Sequence, residues 1–414
     1  MELKSSYKQT EVGVIPEQWT VKCIGDIATV SSGGTPSRQN ASYWDGDIPW
    51  VTTSQIDFCV IDDAEQFISE SGLKNSAAKL FSPGTLLMAL YGQGKTRGKT
   101  AILGISAATN QACASIELNR QVDRDYAFHF LASKYEDIRG LSNSGGQENL
   151  SGNIVKNILI ALPEKNEQRA IATALADVDA LLSSLDELIG KKRDIKQATM
   201  QQLLTGKQRL SGFSGEWRTR QFGDVIAHCS SGATPYRGRP EYYKGPVKWI
   251  TSGELNYNVI TDTIEHVSHN AVRDTNLKIH PVGTFLMAIT GLEAPGTRGA
   301  CGIVGSPATT NQSCMAIYPT PELHSGYLYH YYVFRGNDLA LRHCQGTKQQ
   351  SYTAGLVRLL PIDLPGSVDE QIAIAEVLDD MDMELAVIEQ KRGKTRALKQ
   401  GMMQELLTGR IRLV

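Results

Sequence analysis

The chain lacks the features that would commit it to a membrane, a disulfide scaffold or a metal site. No apolar run among its 414 residues approaches the ~20 needed to span a bilayer. The opening stretch from Met1 to Lys8 is polar and has no signal-peptide core. Seven cysteines, at 23, 59, 113, 229, 301, 314 and 344, contain no Cys-x-x-Cys pair. Their odd number and scatter argue against disulfides and structural zinc and fit a reducing cytoplasm. Cys113 and Cys314 sit in apolar segments and are expected to be small buried hydrophobes. No His-x-x-x-His pair or acidic metal cluster recurs in both halves, and there is no Asn-Pro-Pro-Tyr-like methyltransferase tetrapeptide and no convincing Gly-x-Gly-x-x-Gly loop to suggest catalysis. His129 and His330 correspond between the halves, but both lie in aromatic helical segments, where a packed histidine is the simpler expectation.

Strong charge is missing as well. The net charge is −2. Residues 1–163 carry 14 basic and 17 acidic groups, and residues 211–366 carry 13 and 11. A polyanionic partner would therefore need basic groups focused on one face, or positive field from another subunit.

What is present is a duplication. Trp19 and Gly25-Asp26-Ile27 return as Trp217 and Gly223-Asp224-Val225. Thr35-Pro36, Trp50, Leu87-Met88-Ala89 and Asn110-Gln111 return as Thr234-Pro235, Trp249, Leu286-Met287-Ala288 and Asn311-Gln312. Leu203-Leu204-Thr205-Gly206 returns as Leu406-Leu407-Thr408-Gly409. A period of about 200 residues is a duplicated domain, since solenoid repeats run to roughly 20–50. Two like halves present two related surfaces, which suits a target with two halves.

Each half changes texture along its length. Short apolar runs such as Thr85–Leu90 and Asn157–Leu162, broken by Gly, Pro, Ser and Asn, read as buried strands. Asp125–Lys134 reads as a short helix, echoed at Tyr327–Phe334. Beyond Leu162-Pro163 the spacing becomes helical. Ile171, Leu175, Val178, Leu182, Leu185 and Ile189 recur at intervals of four and three, and Ile374, Leu378, Met381, Leu385 and Ile388 repeat the register. That is a coiled-coil seam. Ile195 and Leu398, Met200 and Met403, and Leu203 and Leu406 extend both stripes. Each helix is roughly 57 Å long at ~1.5 Å per residue. Proline marks the starts, at Pro163 and Pro365, and glycine the exits, at Gly206 and Gly409. The expected fold class is mixed α/β. Two tandem-duplicated α/β domains, 1–164 and 211–367, are separated by two long helices, 165–210 and 368–414. The helices are expected to pair antiparallel as a pseudo-two-fold coiled coil.

Three sets of polar loops are the candidate nucleic-acid contacts. The first holds Ser37, Arg38, Gln39 and Asn40, with Tyr236, Arg237 and Arg239 opposite. The second holds Gln93, Lys95, Thr96 and Arg97, with Glu293 and Arg298 opposite. The third holds Asn143, Gln147 and Asn149, with Lys348, Gln349, Gln350 and Tyr352 opposite. Arg and Lys suit guanine edges, Gln suits adenine, and hydroxyls suit phosphates. A shared framework with differing loops is what two domains reading different sequences need. Gly94-Lys95-Thr96 imitates a phosphate-cradling loop, but glycine and an apolar strand follow it, and the second copy loses the motif. A nucleotide hydrolase using Lys95, or a coiled-coil adaptor without a DNA role, are the alternative readings.

The ordered, duplicated set of motifs resembles the specificity subunit of type I restriction-modification systems over the whole chain. The set is Ile15-Pro16 to Trp19, Gly25-Asp26-Ile27, Ser32 to Pro36, Asn110-Gln111, Glu167-Gln168 with Ile171-Ala172, and Leu203 to Lys207. The resemblance implies a non-catalytic subunit whose two target recognition domains each read one part of a split double-stranded DNA sequence. It implies that the helices set the spacing and dock two modification subunits, and that two restriction subunits join for cleavage. S-adenosylmethionine, ATP and magnesium would belong to those partners, with no cofactor in this chain.

Overall fold

The computed structural model describes residues 6–92, 95–141, 149–346 and 350–413. The chain divides into two compact units, Met1–Asp186 with Lys391–Val414, and Glu187–Gln390. Contacts rather than chain order define these units, and the last 24 residues pack with the first 186. Within each unit a recognition domain packs with part of both long helices.

In the first unit a five-stranded sheet runs in the order Ala28–Ser32, Cys113–Leu118, Leu86–Ala89, Thr100–Leu103, Val60–Ile61. All its pairings are antiparallel except the last. Strand alternation explains the unbroken apolar run Leu86-Leu87-Met88-Ala89. Leu86 and Met88 join Ile102, Ile116 and Tyr126 in one core, while Leu87 and Ala89 join Ala101, Leu103 and Cys113 in another. A strand buried on both faces cannot alternate with polar residues. A second sheet of four strands orders Gln66–Ile68, Trp44–Val51, Ala107–Thr109 and Leu80–Phe81.

The second unit repeats the five-stranded order with Ile226–Ser231, Cys314–Pro319, Phe285–Ala288, Cys301–Val304 and Asn258–Ile260. Its smaller sheet keeps three strands, and the fourth is reduced to a bridge between His280 and Ala308. The short helix Arg124–Ser133 is capped by the Asp123 carboxylate, which accepts from the Asp125 and Tyr126 amides. Its counterpart runs on to Ser325–His343, further than the sequence echo suggested, with Asp338 bridging Arg335 and Arg342 one turn to either side.

The long helices span Lys165–Leu203 and Val368–Leu406, 39 residues each, and they pack together antiparallel. In the first unit Asp179 pairs with Lys399 at 2.5 Å and Asp186 with Arg392 at 2.8 Å. In the second, Lys192 pairs with Glu384 at 2.7 Å and Arg193 with Glu389 at 2.5 Å, and Lys196 pairs with Asp382. The seam is not uniform. Ile171 and Leu175 are fully buried with Leu406 and Leu407 in the first domain's core, as Ile374 and Leu378 are with Met200 and Leu203 in the second. Leu185 and Ile189 are buried; Val178, Leu182, Met381, Leu385 and Ile388 are half-buried. Ile195 and Leu398, expected in the stripe, are 51% and 59% exposed. Ile195 lies six residues beyond Ile189, off the heptad, and the seam positions are taken instead by Lys192 and Lys196, bound to acids of the other helix.

Each helix exit turns on a left-handed glycine, Gly206 at φ 66° and Gly409 at φ 69°. A Cβ on Gly206 would lie 2.9 Å from the Trp217 ring, and one on Gly409 would lie 2.5 Å from Pro16 and 3.1 Å from Trp19. The turn beside Trp19 is fastened by charge. The Glu167 carboxylate, 1% exposed, accepts from Trp19 Nε1 at 3.1 Å and from the Arg412 guanidinium, with one bond of 2.8 Å. In the second unit Arg209 donates in the same way to the buried Glu370.

Candidate nucleic-acid interface

The loops are tied to one hub in each unit. In the first, Gly33 passes so close to the Thr109 carbonyl that a Cβ could not fit. The Gly34 amide donates to that carbonyl at 2.9 Å, and Trp50 Nε1 donates to the Gly34 carbonyl at 3.0 Å. One residue on, Thr35 Oγ1 donates to Gln111 Oε1 at 2.5 Å. Asn110 Oδ1 accepts from the Ala112 amide at 3.1 Å, which shapes the turn. The Leu90 amide donates to the Ala112 carbonyl at 2.8 Å, and the Leu150 amide donates to the Leu90 carbonyl at 2.9 Å. One turn, Asn110-Gln111-Ala112, thereby anchors the roots of all three loops.

The second unit repeats this bond for bond. A Cβ on Gly232 would strike the Thr310 carbonyl. Trp249 Nε1 donates to the Ala233 carbonyl at 3.1 Å, and Thr234 Oγ1 donates to Gln312 Oε1. Asn311 Oδ1 accepts from Ser313 at 3.0 Å, Ile289 donates to Ser313 at 2.9 Å, and Tyr352 donates to Ile289 at 2.8 Å. The anchors are common to both units and the tips differ.

On the first loop Ser37, Arg38, Gln39 and Asn40 are exposed. Asn40 Oδ1 accepts from the Ser42 amide at 3.1 Å, capping a helical turn. Arg38 lies over Trp44, 3.6 Å from its centroid, and donates to Gln66 Oε1 at 2.6 Å. In the second unit Tyr236 is 72% exposed, Arg237 stacks on Tyr243 at 4.2 Å and binds Glu265, and Arg239 donates to Tyr242 Oη at 2.6 Å. Lys95 is exposed and Thr96 half-buried on the second loop. Asn149 is half-buried and lines a cleft of about 510 Å³ with Ser31, Ser32, Tyr91, Gln111, Asn153 and Lys156. Of these, Ser31, Tyr91, Asn153 and Lys156 were not singled out by the sequence, and Gln111 entered only through the repeat and the family-like motif set. Gln93, Asn143, Gln147, Lys348 and Gln349 lie outside the described residues.

Four candidates are bonded back onto their own domain: Arg97 and Tyr352 are buried, Arg298 is half-buried and Glu293 is exposed. Arg97 is 7% exposed and donates to the Arg139 carbonyl at 3.3 Å, closing its loop onto the neighbouring helix. Arg298 donates to the Leu292 and Glu293 carbonyls at 2.9 Å each, closing its own turn. Glu293 accepts from the Gln350 amide at 2.9 Å, joining the second and third loops. Tyr352 is 3% exposed and belongs to the core.

The Lys95 loop is a hairpin turn. Gly98 donates to the Ala89 carbonyl and Ala89 to the Lys99 carbonyl, both at 2.9 Å, before the strand Thr100–Leu103 begins. Among the described residues the loop runs into this strand and not into a helix, whereas phosphate cradling requires a helix N-terminus there. Burial pushes the Cys113 thiol up to about 12, and Cys301 and Cys314 upward too, which suits small hydrophobes and not nucleophiles. Burial, with the Lys399 cation second, lowers His129 to about 4. Among the described residues no cluster of three His, Cys, Asp or Glu side chains could hold a metal ion, and no helix is long and apolar enough to cross a membrane.

Two copies of a loop-bearing α/β domain, each packed with its own stretch of two long antiparallel helices, define a duplicated recognition scaffold. The chain belongs to the family of the type I restriction modification DNA specificity domain, whose model matches it twice, over residues 16–196 and 214–395. It is 25% identical over 296 residues to the type I restriction enzyme MjaIX specificity subunit of Methanocaldococcus jannaschii, covering 67% of each chain. It is 21% identical to the MjaVIII specificity subunit of the same organism, over 99% of this chain and 97% of that one. The fold is similar to the crystal structure of a type I restriction-modification S subunit from M. genitalium, with a TM-score of 0.63, 14% identity and 98% of each chain covered.

Proposed function

We propose that the chain is the sequence-reading subunit of a type I restriction-modification complex. Each domain reads one part of a bipartite double-stranded DNA target, and the paired helices fix the distance between the parts, as half-site spacing follows protein geometry. The helices also dock two modification subunits, and two restriction subunits complete the complex. The chain itself is non-catalytic: S-adenosylmethionine is bound by the modification subunits, and ATP and magnesium by the restriction subunits. Adenine must leave the stack to be methylated, so the partner extrudes the base while this chain supplies the register. The assembly is cytoplasmic.

The observation that carries the reading is the matched hub. Thr35–Gln111 and Thr234–Gln312 hold equivalent loop roots while the tips differ. A structural adaptor has no use for a repeated anchor that presents unlike tips. The test is methylation sequencing of DNA from cells expressing the chain with its modification subunit. Exchanging the tip at 37–40 for that at 236–239 should alter one half of the methylated motif and leave the other intact. Methylation without sequence preference would overturn the proposal.

A further inference from the structure

The two domains hold one arginine in the same cradle but in opposite electrostatic states. Arg38 and Arg237 sit three residues beyond Thr35 and Thr234. Each guanidinium rests against two aromatic rings: Arg38 is 3.6 Å from the Trp44 centroid and 5.2 Å from that of Trp50, and Arg237 is 4.2 Å from Tyr243 and 5.4 Å from Trp249. Each is also met by the residue cross-strand from the inner tryptophan, Gln66 opposite Trp50 and Glu265 opposite Trp249. That residue decides the charge. Gln66 is neutral and accepts one bond, at 2.6 Å. Glu265 is an anion and accepts two, at 2.5 and 2.8 Å. A two-bond carboxylate fork satisfies the guanidinium edge and cancels its charge, whereas an amide leaves the full charge and most of the donor edge available. The ring cradle fixes the side chain before any ligand arrives, so little rotamer freedom remains to be lost on binding.

We infer that Arg38 contacts DNA as a preorganised cation of the first domain, while Glu265 retains Arg237 as a loop brace. The residue at 66 and 265 is then the positioning residue that sets which arginine is available. This rests on the DNA-reading function proposed above. It also answers a charge problem: the first domain is net acidic, so a focused, unneutralised arginine at its loop matters more there than in the second.

The experiment uses the chain assembled with its modification subunits, a duplex bearing the motif that this complex methylates, and a scrambled duplex, titrated over a range of salt. Arg38→Ala should weaken binding to the motif by roughly ten- to a hundredfold and lower the salt slope by about one. Gln66→Glu keeps Arg38 and its stack but adds the carboxylate, and should weaken binding at least about threefold with the same loss of slope. Arg237→Ala should weaken binding less than Arg38→Ala and leave the salt slope unchanged, and Glu265→Gln should steepen the salt dependence. Gln66→Glu separates a ligand role from a structural one, because a stronger brace would leave a purely structural arginine unharmed. Unchanged binding by Gln66→Glu, or equal losses from Arg38→Ala and Arg237→Ala, would overturn the inference while leaving the reading function standing. A parent complex that cannot tell the motif from the scrambled duplex would overturn both.

Discussion

Arg412→Ala should destabilise the first unit more than truncation of any other charged side chain near the end of the chain. The reason lies in Glu167, whose carboxylate is 1% exposed. It has three donors: Trp19 Nε1 at 3.1 Å and two nitrogens of the Arg412 guanidinium. Removing Arg412 leaves a buried anion with one indole N–H. Breaking a buried ion pair by deleting one partner costs about 3–5 kcal/mol. About a quarter of the Arg412 side chain is exposed, so water reaches the vacated site and the cost falls to about 2–3 kcal/mol. For a unit of this size that lowers the melting temperature by about 5–10 °C. Thermal and urea unfolding of the full chain would measure the loss, and hydrogen exchange over residues 7–23 and 165–175 would place it. Glu167→Gln removes the anion and keeps the shape, so Arg412→Ala in that background should cost about 2 kcal/mol less than alone. A loss below about 0.5 kcal/mol, or an equal loss in both backgrounds, would refute the argument.

Three further outcomes follow from the same geometry. Leu175→Ala, at a fully buried site shared by the domain core and the helix pair, should cost about 3–5 kcal/mol in urea unfolding, whereas Ile195→Ala, on the exposed side, should cost under about 0.5. The His129 imidazole is lowered to about 4, below its ordinary range, so the unfolded chain takes up that proton first. Its contribution is complete above about pH 6.5 and is lost as pH falls toward 4, on the order of 3 kcal/mol in all; His129→Gln should flatten the stability profile in that window. Gln111→Ala removes an exposed hydrogen bond at the hub and should cost under about 1 kcal/mol of stability, yet methylation sequencing should show one half of the motif relaxed.

The duplication, the buried strand Leu86–Ala89 and the long helices were legible because each rests on a periodicity or a repeat. Side-chain direction within the loops was not, because a polar residue on a Gly-rich loop has the same sequence signature whether it braces or reaches. Arg97 shows this: its neighbour Gly98 lies against Ile138 and Arg139, and the guanidinium follows the backbone inward. Tyr352 did carry a signal. It makes the backbone bond to Ile289 that Leu150 makes to Leu90, and Leu150 is 1% exposed. An apolar residue at the matching position of the other copy marks a core site. The Glu167–Arg412 pair joins residues 245 apart, a separation at which no local spacing rule operates.

Charge order along the helices was also present in the sequence and explains their direction. Residues 368–390 hold eight acidic groups and no basic one, while 391–412 hold seven basic groups and one acidic. The first long helix repeats the gradient more weakly: 165–190 hold five acidic and two basic groups, and 191–209 hold six basic and one acidic. Two such helices laid parallel would set acid against acid and base against base. Laid antiparallel, each acidic stretch meets a basic one, which is the pairing of Asp179 with Lys399 in one unit and of Glu389 with Arg193 in the other. The individual bridges are partly exposed and each contributes about 0–1 kcal/mol, so they add little to stability. Their effect is on orientation, because the wrong direction would replace every attraction with a repulsion. Each gradient also puts acids at a helix N-terminus and bases at its C-terminus, which the helix dipole favours in the isolated chain. Direction is therefore set by charge, since the apolar seam is nearly the same in both helices and does not by itself distinguish the two directions.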